Sequence, residues 1–425
     1  MFRAFKDKLA NTTEKRTLTS NIFSLGILQG ANYLLPLLTI PYLVRVLGPE
    51  YFGLVAFATA TIGYFSIITD YGFNLSATRL ISIHRNNQVK INQIFNAVMQ
   101  IKAFLMLLSF VFLLILIRTF EKFSDHWELY LLTFGVVLGQ VLFPVWLFQG
   151  MERMKYIAYV NIAAKAFFTV FIFLFVRNKD DILFVPTLTS LGFIVAGVWS
   201  LHVARREFGI SFAPQSWREI RFQLIDGWHV FISSISISLY TISTTFILGI
   251  FTNNIIVGYF SAADKIIQAV KGIYKPFSQA IFPLISKKIQ SDRQEGLFFA
   301  HNFAKLAGGA MLIMSLALFS MAEIIVNLLL GEQYQQSVAL LKIMAFLPFI
   351  VTMSNIYGVQ IMLNLGYKKA FTRILIIAAL VGVMLSLILV PVYEDIGTSV
   401  TLLIVESMVT IFMFLYLKFW QEEKC

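Results

Sequence analysis

The chain has 425 residues, of which 58% are hydrophobic and 13% charged, against about 25% charged in an average soluble domain. Lys and Arg (34) exceed Asp and Glu (23), a formal net charge of +11. A chain this apolar needs lipid as its solvent, which excludes a secreted domain and a cytosolic enzyme, and its one cysteine, Cys425, excludes an internal disulfide or a zinc cluster of thiolates.

Residues 1–20 are polar and basic and are expected to form a cytoplasmic N-terminal segment. The apolar run at 21–46 shows no small-residue cleavage pattern and reads as an uncleaved first span. Further spans are predicted at 51–72, 93–117, 127–149, 156–176, 182–202, 223–250, 255–281, 298–330, 336–363, 370–391 and 396–419. The piece 298–330 is long for one crossing, so part of it is expected to extend beyond the membrane. The expected fold class is an all-α integral membrane protein of about 12 transmembrane helices in two pseudo-symmetric six-helix halves. The N-terminal half covers 21–203 and the C-terminal half 223–419, with a short tail at 420–425. Between them, 204–222 holds Pro214, Trp217 and four arginines. It reads as a cytoplasmic linker or interfacial helix lying along the headgroups.

Sorted by side, 22 Lys and Arg fall on the side of the N-terminus, 5 on the other, and seven within the spans. The positive-inside rule then puts both termini in the cytoplasm. Most of the basic charge is therefore topology, and nucleic-acid binding loses its main support. The two halves are weakly self-similar: Gly53-Leu54-Val55-Ala56-Phe57 aligns with Gly258-Tyr259-Phe260-Ser261-Ala262, and Leu80-Ile81-Ser82 with Leu284-Ile285-Ser286. Two such halves around a midplane site are the plan of an alternating-access transporter.

Ionisable side chains inside a bilayer are costly and normally face a cavity or the bundle interior. The spans hold Lys102, Lys165, Lys265, Lys271, Lys275, Lys305 and Lys342, against Asp70, Asp226, Asp264, Glu323 and Glu406. This cationic surplus is the most informative feature of the chain. In the eighth span, Ser261, Asp264, Lys265, Gln268, Lys271, Lys275 and Gln279 recur at steps of three and four, one stripe about 120° wide. Lys265 and Lys271 are separated by about 9 Å of helix rise, so two ammoniums can engage one elongated diphosphate. The plainer reading is that Asp264 neutralises a neighbouring lysine and Lys275 snorkels to the interface.

The seventh span places Asp226, His229, Ser233, Ser236, Tyr240 and Ser243 on one face, where serines also serve close helix packing. The first offers Gln29, Asn32, Pro36 and Thr39 on one side. Glu406 lies mid-span in the twelfth, as a proton carrier or as a protonated group hydrogen-bonded across helices. Lys102, Lys165, Lys305 and Lys342 lack a comparable stripe, although His301 and Lys305 share a face, and an interfacial place is open to any one of them. There is no phosphate-cradling Gly-rich loop, no histidine pair with metal-site spacing and no catalytic constellation, so neither an enzyme nor a metal cofactor is expected.

The run Asn32-Tyr33-Leu34-Leu35-Pro36-Leu37-Leu38-Thr39-Ile40-Pro41-Tyr42-Leu43-Val44-Arg45, with Leu47-Gly48-Pro49-Glu50 after it, resembles the start of the O-antigen flippases (Wzx). Asp70-Tyr71-Gly72-Phe73-Asn74-Leu75-Ser76, Pro144-Val145-Trp146-Leu147-Phe148-Gln149-Gly150, Gly227-Trp228-His229 and Ser354-Asn355-Ile356-Tyr357-Gly358-Val359-Gln360 continue the resemblance over essentially the whole chain. These flippases are polysaccharide transporters of the multidrug, oligosaccharidyl-lipid and polysaccharide exporter superfamily. The resemblance implies a MATE-like V-shaped bundle in the bacterial inner membrane. It would move undecaprenyl-diphosphate-linked oligosaccharide repeat units to the periplasmic leaflet, coupled to a proton or sodium gradient. It also implies O-antigen polymerase and the chain-length regulator as partners.

The expected diphosphate and glycan contacts are Lys265, Lys271, Lys275, Arg45 and Gln268, with Asp264 tuning them; Glu406, Asp226 and Asp70 are the coupling candidates. Two rivals stand beside this reading, and a channel-like scaffold without transport is a third. A drug or small-metabolite exporter would favour a carboxylate-rich cavity for cationic cargo, and a membrane enzyme of O-antigen assembly would need a long outer loop, whereas 251–254 is short.

Overall fold

Lipid offers the backbone no hydrogen-bond partners, so a spanning chain must satisfy its own N–H and C=O groups in helices. A computed structural model describes residues 13–422, and every regular element among them is helical. The basic residues before Thr13 lie outside the described residues. So do the side chains of Gln29, Asn32, Pro36, Ser233, Ser236 and Tyr240.

The helices run α1 (Thr13–Asp70), α2 (Phe73–Ile83), α3 (Gln88–Thr119), α4 (Glu121–Ser124), α5 (Trp127–Leu142), α6 (Val145–Gly150), α7 (Met154–Phe175) and α8 (Phe184–Phe208). They continue as α9 (Trp217–Thr241), α10 (Ser243–Phe251), α11 (Asn254–Ser291), α12 (Arg293–Ser320), α13 (Ala322–Leu329), α14 (Gln336–Met344), α15 (Leu347–Asn355) and α16 (Lys368–Glu422). α1 and α16 are each two helices joined at a kink, at Gly48 (φ 71°) and Glu394 (φ 49°). With those breaks, helices occupy all twelve predicted positions, and the long 298–330 piece divides at Met321 into α12 and α13. Among the described residues, eight stretches are long and apolar enough to cross a membrane by composition alone. α11 is not one of them, because its lysines and glutamines interrupt the apolar run.

Several helix starts are fixed by side-chain caps worth about 1 kcal/mol each. Asn87 accepts the Lys90 N–H (3.1 Å) to open α3, and Asn253 accepts that of Ile256 (3.0 Å) to open α11. Asp292 accepts two, from Gln294 and Glu295, to open α12.

The chain clusters into two compact units. One takes residues through Thr39 and then Thr61–Ile235; the other takes Ile40–Ala60 and everything from Ser236. The first is centred on Phe73, Ile81, Phe95, Trp146, Leu147 and Phe148, contributed by α2, α3 and α6. Within it, Gln88, Asn92, Asn96 and Gln100 form an amide ladder at steps of four along α3. Gln88 donates to the Phe208 carbonyl (2.6 Å), and Asn96 donates to that of Ser211 (2.7 Å) while accepting the Ala213 N–H (3.2 Å). Asn92 accepts from Ser211 N, and Gln100 accepts from Gln215 N while donating to the Ala213 carbonyl. The middle of the linker, between Phe208 and Trp217, is therefore non-helical chain tied to α3, with Pro214 unable to donate in any case.

The second unit is centred on Tyr274, Ile285, Ala300, Met311, Ile356, Met362 and Met413. Here α15 passes into a π-helical turn, Ile356–Met362. Gln360, fully buried, donates to both the carbonyl and the hydroxyl of Ser278 at 3.0 Å. Ser278 in turn donates to Asn355 (2.7 Å), which also accepts from Tyr274 (3.1 Å). Ile40–Ala60 joins this unit through a close approach of backbones. A Cβ on Gly53 would fall 1.8 Å from the Asn254 carbonyl oxygen, and one on Gly258 1.9 Å from that of Pro49. The two glycines aligned by sequence self-similarity pack against each other.

Candidate functional site

α11 carries the predicted stripe. Ala262, Ala263, Ile266, Ile267 and Tyr274 are buried, whereas Lys265, Gln268, Lys275 and Gln279 are exposed on its other face. Asp264 and Lys271 sit half-buried at the margin. Gln268 donates to the Asp264 carboxylate at 3.3 Å, which ties that carboxylate to its own helix. Among the described residues, none of Lys265, Lys271 and Lys275 forms an ion pair. Lys271 lies within electrostatic reach of Glu406 on α16. One coupling candidate and one diphosphate candidate, 135 residues apart in the chain, thus share a locality.

Arg45 is held elsewhere in the same unit. Its guanidinium donates to the Leu328 carbonyl at the end of α13, near where the Tyr334 hydroxyl donates to the Val44 carbonyl (3.2 Å). Tyr334 also meets Tyr259, so Arg45 belongs to the region around the N-terminal end of α11.

The remaining two coupling candidates are in the first unit, each already paired. Asp226 accepts from Arg79 at 2.6 Å. Asp70 lies 3.5 Å from the ammonium of Lys102, whose side chain is 4% exposed, and also accepts from Asn74 at 2.9 Å. Lys102 is therefore an interior residue rather than an interfacial one. Lys165 also lies inward, lining a cavity of about 170 Å³ with Thr39, Asn161 and Thr189. Lys305 and Lys342 are exposed. Among the described residues, no three His, Cys, Asp or Glu side chains gather as a metal site.

Sequence reasoning missed the amide ladder and the Tyr274–Ser278–Asn355–Gln360 network. The first had a signal, four carboxamides spaced by four along α3. The second joins residues about 80 positions apart, and periodicity carries no trace of it.

The profile of the polysaccharide biosynthesis protein family matches residues 18–289, well over half of the chain. The chain belongs to the polysaccharide biosynthesis protein family. This family member is 37% identical over 409 residues to an Escherichia coli (strain K12) protein described as "Putative O-antigen transporter", covering 96% of this chain and 98% of that one. It is 28% identical over 397 residues to a Shigella dysenteriae protein of the same description, covering 93% and 99%. Its fold matches the inward-facing conformation of a multidrug resistance MATE family transporter of the MOP superfamily, with a TM-score of 0.71 at 13% identity over 90% of this chain and 93% of that one. It matches the lipid II flippase MurJ in an inward closed conformation with a TM-score of 0.75, at 13% identity over 94% and 87%. This member of the polysaccharide biosynthesis protein family is thus a multi-pass, all-helical membrane protein of MATE-like fold, and the two sequence relatives carry a transporter's description rather than an enzyme's.

Proposed function

We propose that this protein is a flippase that moves undecaprenyl-diphosphate-linked O-antigen repeat units from the cytoplasmic to the periplasmic leaflet of the bacterial inner membrane. The similarity to two O-antigen transporters over nearly their full length supports the cargo class. The observation that carries the mechanism is the α11 stripe, where Lys265, Lys271 and Lys275 form no ion pair among the described residues. Ammonium groups on a helix face that also bears Gln268 and Gln279 suit a ligand of phosphate oxygens and sugar hydroxyls, since charge-assisted hydrogen bonds to phosphate are the stronger kind. Arg45 serves the periplasmic end of the path.

In this mechanism, Lys271 stays unpaired but within electrostatic reach of Glu406 when no substrate is bound, and turns to the diphosphate when it arrives. Glu406, with the ammonium's charge then spent on the diphosphate, takes a proton, which links substrate binding to the gradient. Asp226 and Asp70, each already holding a cation, steady the first unit. Both termini lie in the cytoplasm by the charge asymmetry of the loops. The lysine surplus disfavours cationic drugs as cargo.

The test is complementation of a flippase-deficient strain. The double variant Lys265→Glu/Lys271→Glu is expected to reach the membrane at wild-type abundance, to abolish O-antigen display and to accumulate lipid-linked intermediates on the cytoplasmic side. Wild-type display by that variant would remove the assignment.

A further inference from the structure

In the first unit a cavity of about 730 Å³ opens between the end of α2, the start of α3 and the start of α9. His84, Lys90, Gln93, Arg218, Glu219 and Gln223 contribute its polar wall. Gln223 is 1% exposed, and neither its amide nitrogen nor its carbonyl oxygen has a hydrogen-bond partner; the side-chain oxygen of Gln93 is buried and unpartnered as well. Each such orphan costs about 1–3 kcal/mol unless something in the cavity satisfies it. A donor and an acceptor on one amide, with a second acceptor nearby, call for groups that both give and take hydrogen bonds. Hydroxyls do so.

The charges around the cavity are unequal. The Lys90 ammonium stands 3.7 Å from the Glu219 carboxylate, which offsets it in part. Arg218, exposed on the adjoining turn, adds a cation, and His84 is held through Nδ1 at the Leu80 carbonyl (2.9 Å). Around the opening, the first nine residues of α9 expose Trp217, Phe222 and Ile225 beside Arg218 and Arg221. Aromatic and basic side chains mixed on one short helical stretch mark the headgroup level of a membrane. The amide ladder fixes the chain leading into this stretch, so the cavity wall is built rather than draped.

We propose that this cavity binds the headgroup of phosphatidylglycerol, with the phosphodiester on Arg218 and Lys90 and the glycerol hydroxyls on Gln223 and Gln93. The acyl chains leave past Phe222 into the bilayer. The cavity's residues all belong to the first unit, and the proposal does not depend on the flippase reading.

The test is native mass spectrometry of the full-length protein released from nanodiscs containing equal parts of phosphatidylglycerol, phosphatidylserine and phosphatidylethanolamine. Phosphatidylserine carries the same net charge without the free diol. The wild type is expected to retain phosphatidylglycerol over both other lipids. Arg218→Ala is expected to lower that retention about tenfold, the scale of a lost charge-assisted hydrogen bond. Gln223→Leu is expected to remove the preference over phosphatidylserine while leaving the melting temperature in phosphatidylethanolamine nanodiscs unchanged or raised, because an orphaned amide has gone. Excess glycerol 1-phosphate is expected not to displace the lipid; displacement would show a site for soluble phosphate esters and overturn the proposal. Equal retention of the two anionic lipids by the wild type, or wild-type retention by both variants, would also overturn it.

Discussion

The ammonium of Lys102 lies 3.5 Å from the Asp70 carboxylate, and burial on α3 leaves it little else to interact with. Taking one partner from such a pair leaves an uncompensated interior charge, which costs about 3–5 kcal/mol, whereas replacing both is often neutral. Asp70→Asn is therefore expected to lower the melting temperature of the detergent-purified protein sharply, and Asp70→Asn/Lys102→Met to restore most of it. Equal losses in single and double variants would show that the two groups are not coupled.

Asn96 uses its amide twice to hold the linker, at Ser211 and at Ala213. Asn96→Ala removes both bonds and leaves backbone groups at those residues without their partner, an expected loss of about 1–3 kcal/mol. Limited proteolysis with trypsin should then cut faster at Arg218 and Arg221, and unchanged cleavage would count against the ladder as the restraint.

Gly53 and Gly258 allow two backbones to touch where any Cβ would collide with a carbonyl. Helix interfaces in membranes use small residues for this close approach. Gly53→Ala and Gly258→Ala are each expected to cost about 1–3 kcal/mol as overpacking. Because both relieve or strain the same contact, the double variant should lose less than the sum. Additive losses in a thermal-shift cycle would mean that the sites are independent.

Glu406 and Lys271 share a locality on α16 and α11. Glu406→Gln is expected to preserve substrate exchange between leaflets in proteoliposomes while abolishing its acceleration by an imposed pH gradient. A variant that still responds to the gradient would move the coupling group elsewhere. Lys271→Gln, by contrast, should weaken exchange itself.

Apolar runs about twenty residues long determined the helical class and the positions of the helices, because each must bury its own backbone in lipid. The step of three and four likewise placed Lys265, Gln268 and Lys275 on one face of α11, and the weak repeat pointed to Gly53 and Gly258. Periodicity orients a side chain about its own axis but carries nothing about which helix it meets. Only the tertiary structure made Lys102 the partner of Asp70, and only it brought Lys271 within electrostatic reach of Glu406. The linker is the plainest case. Its basic, tryptophan-bearing composition reads as a linker or an interfacial helix, and composition does not decide between the two; residues 209–216 follow the carboxamides of α3, since non-helical chain must hydrogen-bond to something and a neighbouring helix supplied the groups.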